Sequence, residues 1–317
     1  MSTEPGFEPG YLRLHASGEL GRRISDAWSL LAPCRLCPHD CGADRVHGQL
    51  GVCRMDARCK VASWNLHRWE EPAISGARGS GAIFFSGCTS RCRFCQSFPI
   101  SQLLQGIEVS LERLAGMMIE LQQKGAHNIN LVTPTHFMPH ILAALPRAIQ
   151  AGLRLPLVYN TGGYERVEAL RLLDGVVDVW LPDAKYADDK TALRLSGSPR
   201  YVEYDRLALL EVFRQVGEEL LLDESGVAQR GLIVRHLVLP GGLAGTPEVL
   251  CWLSEALSPR VHVSLMDQYF PAYRALEDPV LGRRLSRQEY ESALDALESA
   301  GLEHGWTQAT GDWDHDG

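Results

Sequence analysis

Apolar residues recur along this chain with two different spacings. Between residues 81 and 300, short apolar runs rich in β-forming residues alternate with stretches in which apolar residues fall at three- and four-residue intervals. This alternation is typical of parallel strands joined by crossover helices. The predicted strands are 81–86, 128–132, 156–160, 176–181, 231–239 and 261–265. The predicted helices are 110–124, 138–151, 164–174, 199–216, 246–257 and 287–300.

Six strand–helix units over about 220 residues predict an α/β fold, in the form of a partial (β/α)6 open TIM-like barrel. In such barrels the catalytic groups lie at the C-terminal ends of the strands. Outside these units the periodicity weakens. We therefore predict an N-terminal arm at 1–33, a cysteine-rich metal module and linker at 34–80, the partial barrel at 81–305 and a loose tail at 306–317.

Composition narrows the class of protein. The chain has 317 residues, of which 45% are hydrophobic, and these values are ordinary for a globular protein. Its net charge of −8 argues against a nucleic-acid partner. No apolar run approaches the ~18 residues of a membrane span, and the first ten residues do not resemble a secretion signal. The sequence predicts a cytoplasmic protein that binds neither nucleic acid nor membrane.

Three cysteines follow the first predicted strand directly. Cys88, Cys92 and Cys95 are spaced Cys-x3-Cys-x2-Cys, and Phe94 precedes the last; we call residues 88–95 the cysteine loop. Three thiolates suit a [4Fe-4S] cluster in which the fourth iron stays open, and an open position marks a reactive site. A disulfide pair with a spare thiol, or a zinc knuckle completed by a distant residue, are the alternatives.

A second set of cysteines lies in the weakly periodic segment before the barrel. These residues, called here the N-terminal cysteine group, are Cys34, Cys37, Cys41 and Cys53. Four soft ligands within twenty residues fit a closed zinc site or a fully ligated auxiliary iron–sulfur cluster, and the spacing leaves both open. Reduced cysteines that pack without metal are the alternative. Cys59 and Cys251 stand alone and are interpreted as small buried residues.

The cysteine loop resembles the signature of the radical S-adenosylmethionine (SAM) superfamily. Within it, the chain resembles the pyruvate formate-lyase activating enzyme-like proteins through segments 74–76, 84–88, 130–136, 159–161, 181–186 and 233–241. The resemblance implies the same partial barrel, a [4Fe-4S] cluster and SAM as cofactors. It also implies reductive cleavage of SAM to a 5′-deoxyadenosyl radical that abstracts a hydrogen atom.

The resemblance assigns SAM contacts to two strand ends. At 132–136, where relatives have a Gly-Gly-Glu-type turn for the methionine amino group, the glutamate is missing. The amino group is therefore assigned to Thr133, Thr135 or backbone carbonyls. Asn160 and Thr161 match the turn that meets the ribose. Phe94 is assigned to the adenine or to shielding of the cluster, with core packing as the alternative.

Asp183 and Lys185 resemble the Asp-x-Lys segment of activating enzymes. Asp183 is assigned to the ribose, the substrate or a cation, and Lys185 to the SAM carboxylate, with a structural ion pair as the alternative. Arg235 and His236 lie in an apolar strand, so burial requires partners and a polar cavity on one face. Because adjacent strand residues point to opposite faces, we favour Arg235 for the SAM carboxylate. The candidate catalytic residues are Asp183, Lys185 and His236.

Segment 64–72 lines the site from below or forms a solvated loop; both interpretations stay open. The predicted function is hydrogen abstraction from a small molecule, with an amino acid as one candidate. The alternatives are a glycyl-radical-enzyme activase that acts on a partner protein, and a non-catalytic iron–sulfur or zinc protein. A radical enzyme also needs an electron donor such as flavodoxin or ferredoxin.

Overall fold

A computed structural model of the protein describes residues 7–308. The strands are β1 Lys60–His67, β2 Ser80–Phe85, β3 Ile107–Glu108, β4 Ile129–Val132, β5 Leu157–Thr161, β6 Val179–Pro182, β7 Leu221–Leu222, β8 Ala228–Leu237, β9 His262–Met266 and β10 Gly305–Thr307. The helices are α1 Gly10–Ala16, α2 Glu19–Ser29, α3 Pro72–Ser75, α4 Phe98–Ser101, α5 Leu111–Gln123, α6 Met138–Gln150, α7 Val167–Arg171, α8 Asp189–Ser196, α9 Tyr201–Val216, α10 Thr246–Ala256 and α11 Arg287–Ser299.

The strands form one mostly parallel sheet in the order β10-β9-β8-β6-β5-β4-β2-β1-β3. Neighbours from β2 to β10 pair in parallel, whereas β1 is antiparallel to β2 and to β3, and β7 is antiparallel to β8. All six predicted strands are present in their predicted sequence order. The α/β class is confirmed, and the sheet is consistent with the predicted partial barrel.

Local sequence explains why these elements form where they do. β6 is buried along its whole length, and β4 and β5 have one half-buried residue each, as expected for parallel strands covered on both faces. Ser110 caps α5 by accepting a hydrogen bond from the Arg113 amide, and α11 begins with a capping box between Ser286 and Glu289. Alternating strands and capped helices build the scaffold that carries the site.

The ends of the chain differ from the sequence prediction. The segment predicted as an arm contains the helices α1 and α2, and the backbone amide of Gly10 in α1 donates to the buried Asp178 at 3.0 Å. β1, in the segment predicted as module and linker, extends the sheet beyond β2. Trp306 and Thr307, placed in the loose tail by sequence, pair with β9 instead. The rest of the predicted tail, from residue 309, and residues 1–6 lie outside the described residues.

A short plug closes the N-terminal end of the sheet. Ala73 and Ile74 in α3 pack against apolar side chains that belong to β5, β6 and β8: Val158, Val179, Leu181, Ala228 and Ile233. The side-chain amide of the buried Asn128 donates through Nδ2 to the Ile74 backbone carbonyl at 2.8 Å. This hydrogen bond fixes α3 to the start of β4. Any cavity inside the curved sheet must therefore lie toward the C-terminal ends of the strands. No helix in the range 7–308 is both long and apolar enough to cross a membrane.

Candidate functional site

The cysteine loop connects β2 to α4 and is fixed on both sides. The amides of Arg91 and Arg93 donate to the carbonyls of Ser196 and Leu195 in α8 at 2.6 and 2.8 Å. Gly87 has φ 82°, and a Cβ there would lie 2.7 Å from Met55 Cγ, so only glycine fits at the start of the loop. The backbone thus holds Cys88, Cys92 and Cys95 at the C-terminal edge of the sheet.

Each sulfur of the cysteine loop has a neutral hydrogen-bond partner. The Ser90 amide donates to Cys88 Sγ at 3.3 Å, the Ser196 hydroxyl donates to Cys92 Sγ at 3.0 Å, and Cys95 Sγ lies 3.0 Å from Ser101 Oγ. Hydrogen bonds of this kind stabilise thiolates that bind a cluster and tune its potential. The three residues fit a cluster with one open iron.

Lys185 stands beside the cysteine loop and is paired with Asp183. Its Nζ donates to Asp183 Oδ2. Burial raises the pKa of Cys88 to about 12 and of Cys92 to about 11, while Lys185 acts in the opposite direction on both. Burial alone would lower the pKa of Lys185, but Asp183 and Cys92 outweigh it, so the lysine stays charged. The structure therefore brings Asp183, Lys185 and the loop cysteines together.

The turn that carries Asp183 and Lys185 is supported by Tyr201, which sequence reasoning missed, and is packed against Gly163. Tyr201 Oη accepts from the Lys185 amide at 3.1 Å and contacts the carbonyls of Gly162 and Asp183 at 2.9 Å. A Cβ at Gly163, which has φ 78°, would collide with the Asp183 carbonyl and with Asp205 Oδ1. The backbone at Gly163 therefore approaches the Asp183 turn closely, which only a residue without a side chain permits.

The ends of β4 and β5 meet at a buried carboxylate. Thr133 has φ 57°, and its amide donates to the Asn160 carbonyl at 2.9 Å. The hydroxyls of Thr135 and Thr161 both donate to Glu165 Oε1. Burial raises the pKa of Glu165 to about 7, against the lowering effect of the two hydroxyls. Glu165 was missed, although it lies only two residues after Gly163; the SAM contacts predicted for these threonines and Asn160 stay predictions.

A cavity of about 650 Å³ lies inside the curve of the sheet. Residues from seven strands line it, and so do Gln96 and Ser97, which follow the last loop cysteine. The side-chain amide of Gln96 donates through Nε2 to the backbone carbonyl of Gln268 at 2.7 Å. This bond joins the end of the cysteine loop to the chain that follows β9. The cavity therefore adjoins the loop at the C-terminal edge of the sheet, where the barrel prediction places the site.

The floor of this cavity is a buried charge cluster. The Arg235 guanidinium binds Glu71 at 2.6 and 2.7 Å and also contacts Glu70. Burial alone would raise the pKa of Glu71, but Arg235 outweighs it, so the carboxylate stays ionised. The partners that burial of Arg235 requires thus come from segment 64–72, which lines the site from below. Because two carboxylates already bind Arg235, its predicted contact with SAM stays a prediction.

His236 and Phe94 face away from the cavity floor. His236 is buried, with Nδ1 2.6 Å from the Ala184 carbonyl oxygen and Nε2 2.9 Å from Thr246 Oγ1, so both ring nitrogens are engaged. This geometry gives His236 a positioning role between β8, the Asp183 turn and α10; its catalytic role stays a prediction. Arg235 and His236 do lie on opposite faces, as expected. Phe94 packs near Tyr269, with ring centroids 6.1 Å apart.

The segment that carries the N-terminal cysteine group packs directly on the cysteine loop. His39 Nε2 lies 2.6 Å from the Thr89 carbonyl oxygen, and Arg54 Nη1 donates to the Gln102 carbonyl at 2.9 Å. Arg91 of the loop donates back to the Val52 carbonyl. Sequence spacing gave no sign of this contact, because the two segments are about fifty residues apart.

All nine cysteines are free thiols, so neither set forms a disulfide. Burial raises the pKa of Cys37 well above its ordinary value, with smaller contributions from Cys53 and Cys34 in the same direction. Across residues 7–308, no three His, Cys, Asp or Glu side chains are arranged as the shell of a single metal ion, in either cysteine group. Cys59 is buried as predicted, whereas Cys251 is exposed on α10, so that prediction was wrong.

Comparisons with known proteins show what this chain is similar to. The sequence profile described as the Radical SAM superfamily matches residues 82–222. The uncharacterized protein MJ0674 of Methanocaldococcus jannaschii is 31% identical over 294 residues, which cover 90% of this chain and 80% of the relative. Among solved structures, HydG, a maturase of the [FeFe]-hydrogenase, aligns with TM-score 0.46 and 12% identity over 69% of this chain and 48% of HydG. A radical SAM methyltransferase from Sphaerobacter thermophilus aligns with TM-score 0.47 and 16% identity over 72% of this chain and 66% of its own.

The fold and the site define an α/β protein whose three-cysteine loop stands at the C-terminal edge of a parallel sheet, beside a polar cavity. The chain belongs to the radical SAM superfamily. Members of this superfamily are enzymes that use a [4Fe-4S] cluster and SAM. The chain spans less than two thirds of the two solved structures, and its finer relation to pyruvate formate-lyase activating enzymes stays a resemblance.

Proposed function

We propose that this radical SAM enzyme abstracts hydrogen from a small molecule that carries an amino group, bound in the cavity above Glu70, Glu71 and Arg235. The observation that carries the proposal is the charge cluster at the cavity floor. Two buried carboxylates share one guanidinium, which leaves an excess negative charge inside a low-dielectric cavity. An ammonium group, as in an amino acid, is the ligand group that such a floor favours.

The size of the cavity supports a small substrate. Its volume of about 650 Å³ lies within the range of roughly 300–1,000 Å³ that is usual for small-molecule pockets. Segment 64–72 seals the cavity from below, so substrate enters near the ends of the strands. A loop of a partner protein would have to pass between the cysteine loop and the end of β9 to reach the cavity. The hydrogen bond from Gln96 to Gln268 joins these two segments and obstructs that path.

The residues around the cysteine loop have separate proposed tasks. Cys88, Cys92 and Cys95 hold the cluster, which when bound supplies the electron that splits SAM into methionine and a 5′-deoxyadenosyl radical. Lys185 binds the SAM carboxylate, and Asp183 keeps that lysine charged and in place. A low-potential carrier protein such as flavodoxin or ferredoxin delivers the electron in the cytoplasm.

Deuterium transfer tests the proposal. Anaerobically reconstituted protein is incubated with SAM, dithionite and either deuterated amino acids or a deuterated glycine-containing peptide. Deuterium in 5′-deoxyadenosine from an amino acid, but not from the peptide, supports a small-molecule substrate. Deuterium from the peptide alone supports the activase instead, and no 5′-deoxyadenosine at all supports a non-catalytic iron–sulfur protein.

A variant pair tests the role of the floor. Glu70→Gln leaves one carboxylate on Arg235 and removes the excess charge, so deuterium transfer per 5′-deoxyadenosine formed should fall about tenfold or more. Glu203→Gln, which removes an exposed carboxylate paired with Arg200, is the matched control and should behave as wild type. If Glu70→Gln leaves the ratio of deuterium transfer to 5′-deoxyadenosine unchanged, the charge cluster at the cavity floor does not bind the substrate.

A further inference from the structure

We propose that the N-terminal cysteine group holds an anionic metal–thiolate centre and that Arg45 is its buried counter-cation. Four thiolates around one zinc ion, or around a [4Fe-4S] cluster in its 2+ state, carry a net charge of about −2. The two kinds of centre therefore share the same chemistry toward a neighbouring cation. This inference concerns a second site and is independent of the substrate proposed above.

Arg45 is a buried cation without an anion. Its residue is 1% exposed, and Nη2 donates to the carbonyls of Asp56 and His136, both at 2.8 Å. Its Nε has no hydrogen-bond partner, and the guanidinium carbon lies 5.9 Å from the centre of the Phe137 ring. Among residues 7–308, no carboxylate lies within ion-pair distance of this side chain. Carbonyl dipoles do not balance a full charge, and a buried unpaired charge costs several kcal/mol.

The cysteine sulfurs near Arg45 are the groups whose negative charge depends on bound metal. The carboxylate of Asp56 interacts electrostatically with Arg45 but is not in ion-pair contact with it, and Arg58, which Asp56 shares with the exposed Glu108, binds it at 2.7 Å. His136 and His140 are buried and lie beside backbone carbonyl oxygens, so they add no negative charge. The remaining neighbours that Arg45 acts on electrostatically are Cys34, Cys53 and Cys59. Two of these belong to the N-terminal cysteine group, and a thiolate bound to metal is anionic whereas a free thiol is neutral.

The backbone around Gly51 brings sulfurs and the arginine to one place. A Cβ added at Gly51 would lie 3.3 Å from Cys53 Sγ, 3.4 Å from Cys41 Sγ and 3.8 Å from Arg45 Cδ. The Gly51 amide donates to the Met55 carbonyl at 3.1 Å, which holds this turn against the site. Two sulfurs of the N-terminal cysteine group and the Arg45 side chain therefore lie around one point of the backbone, which places the cation beside the thiolates of the proposed centre.

In the described residues, neither cysteine group has three side chains arranged to bind a single metal ion. This absence does not distinguish the two groups, because the cysteine loop shows it too and matches a superfamily that uses a [4Fe-4S] cluster. What does separate them is the neighbouring cation. Lys185 beside the loop is already paired with Asp183, whereas Arg45 has no such partner. The charge balance therefore points to an anion at the N-terminal cysteine group in the working protein.

Metal analysis of a loop variant tests the centre itself. Cys88, Cys92 and Cys95 are all changed to alanine in the full chain, which is purified without oxygen, and zinc, iron and sulfide are measured per chain. We expect one zinc ion, or the iron and sulfide of one cluster with its visible absorption, and either result supports the centre. The further change of Cys34→Ala and Cys37→Ala should remove that metal. Protein without zinc or iron would overturn the proposal.

Arg45 variants test the counter-charge. Arg45→Lys keeps the charge, Arg45→Gln removes it but keeps a donor for the carbonyls, and Arg35→Gln is an exposed control on the same segment. With Arg45→Gln, loss of metal to a chelator should be about tenfold faster or more, whereas Arg45→Lys and Arg35→Gln should stay close to wild type. Release at the wild-type rate from Arg45→Gln would overturn the role of Arg45. The loop variant leaves Arg45 intact, so the centre stays testable if Arg45→Gln does not fold.

Discussion

The two cysteine groups of this protein lie in contact but differ in what surrounds their sulfurs. In the cysteine loop, neutral donors such as the Ser90 amide and the Ser196 hydroxyl reach the sulfurs, and a cavity opens beside the third cysteine. In the N-terminal cysteine group, a segment without regular strands or helices packs its thiols near an uncompensated arginine. The difference teaches that cysteine sulfurs in contact with one another's segments can have unlike surroundings: neutral hydrogen-bond donors and a cavity at the loop, and a buried cation at the N-terminal cysteine group.

The strongest test of this difference removes one sulfur of the cysteine loop. With Cys92→Ala, the cluster loses a ligand and its hydrogen-bond partner Ser196, so formation of 5′-deoxyadenosine under dithionite should fall below detection. Cys251→Ala, which changes an exposed cysteine on α10, should retain wild-type formation. Equal activity of the two variants would show that the loop does not hold the reactive cluster.

The second test concerns Glu165, the buried carboxylate that acts electrostatically on Cys37 of the N-terminal cysteine group. Its pKa is raised from 4.5 to about 7 by burial, so the folded protein holds this proton more tightly than the unfolded chain. Stability should therefore fall as pH rises from about 4.5 to 7, by on the order of 3 kcal/mol, and should level off above that window. Glu165→Gln should lack this component of the pH dependence.

Urea unfolding of the anaerobic protein at pH 5 and pH 8 measures this effect. Glu168→Gln, which changes an exposed carboxylate three residues further along the chain, is the matched control and should keep the wild-type difference between the two pH values. If Glu165→Gln also keeps that difference, the Glu165 carboxylate is ionised in the folded state. Water would then reach this side chain in spite of its burial in the structure.

The third test addresses the cation of the cysteine loop. Lys185→Met removes the proposed partner of the SAM carboxylate and leaves Asp183 without its counter-charge, so the Kd for SAM should rise about 10- to 100-fold. Equilibrium binding of SAM to the anaerobic protein measures the change. Lys190→Met alters an exposed lysine near the start of α8 and should leave the Kd unchanged. An unchanged Kd in Lys185→Met would limit Lys185 to a structural ion pair.

The sequence predicted the parts of this arrangement that depend on local spacing. The periods of apolar residues gave six of the seven parallel strands, all but β10, and the three cysteines with Phe94 gave the loop. β1 was missed because its alternation includes exposed Asn65 and no neighbouring strand could be assigned to it. Its place in the sheet depends on pairing with β2, which only the folded chain defines.

Partnerships between distant residues could not be predicted from sequence. Burial of Arg235 required an anion, but its partner Glu71 is 164 residues away. The sharing of Glu165 by Thr135 and Thr161 depends on the turn after β5, whose path spacing does not specify. The charge of Arg45 gave no signal because its burial arises from packing against α6 and its neighbours. The type of a buried side chain thus predicted that it needs an oppositely charged or hydrogen-bonding partner. Only the folded structure shows which residue that partner is.

The smallest effect concerns the contact that joins the two groups. His39 is half-buried, burial lowers its pKa, and its neutral ring donates through Nε2 to the Thr89 carbonyl at 2.6 Å. His39→Ala should lower the free energy of unfolding by about 1 kcal/mol, because one buried hydrogen bond is lost. His47→Ala, on the same segment, removes an exposed pair with Asp44 and should cost close to nothing. Equal losses in anaerobic urea unfolding would mean that the two groups are joined through Arg54 and Arg91 rather than through His39.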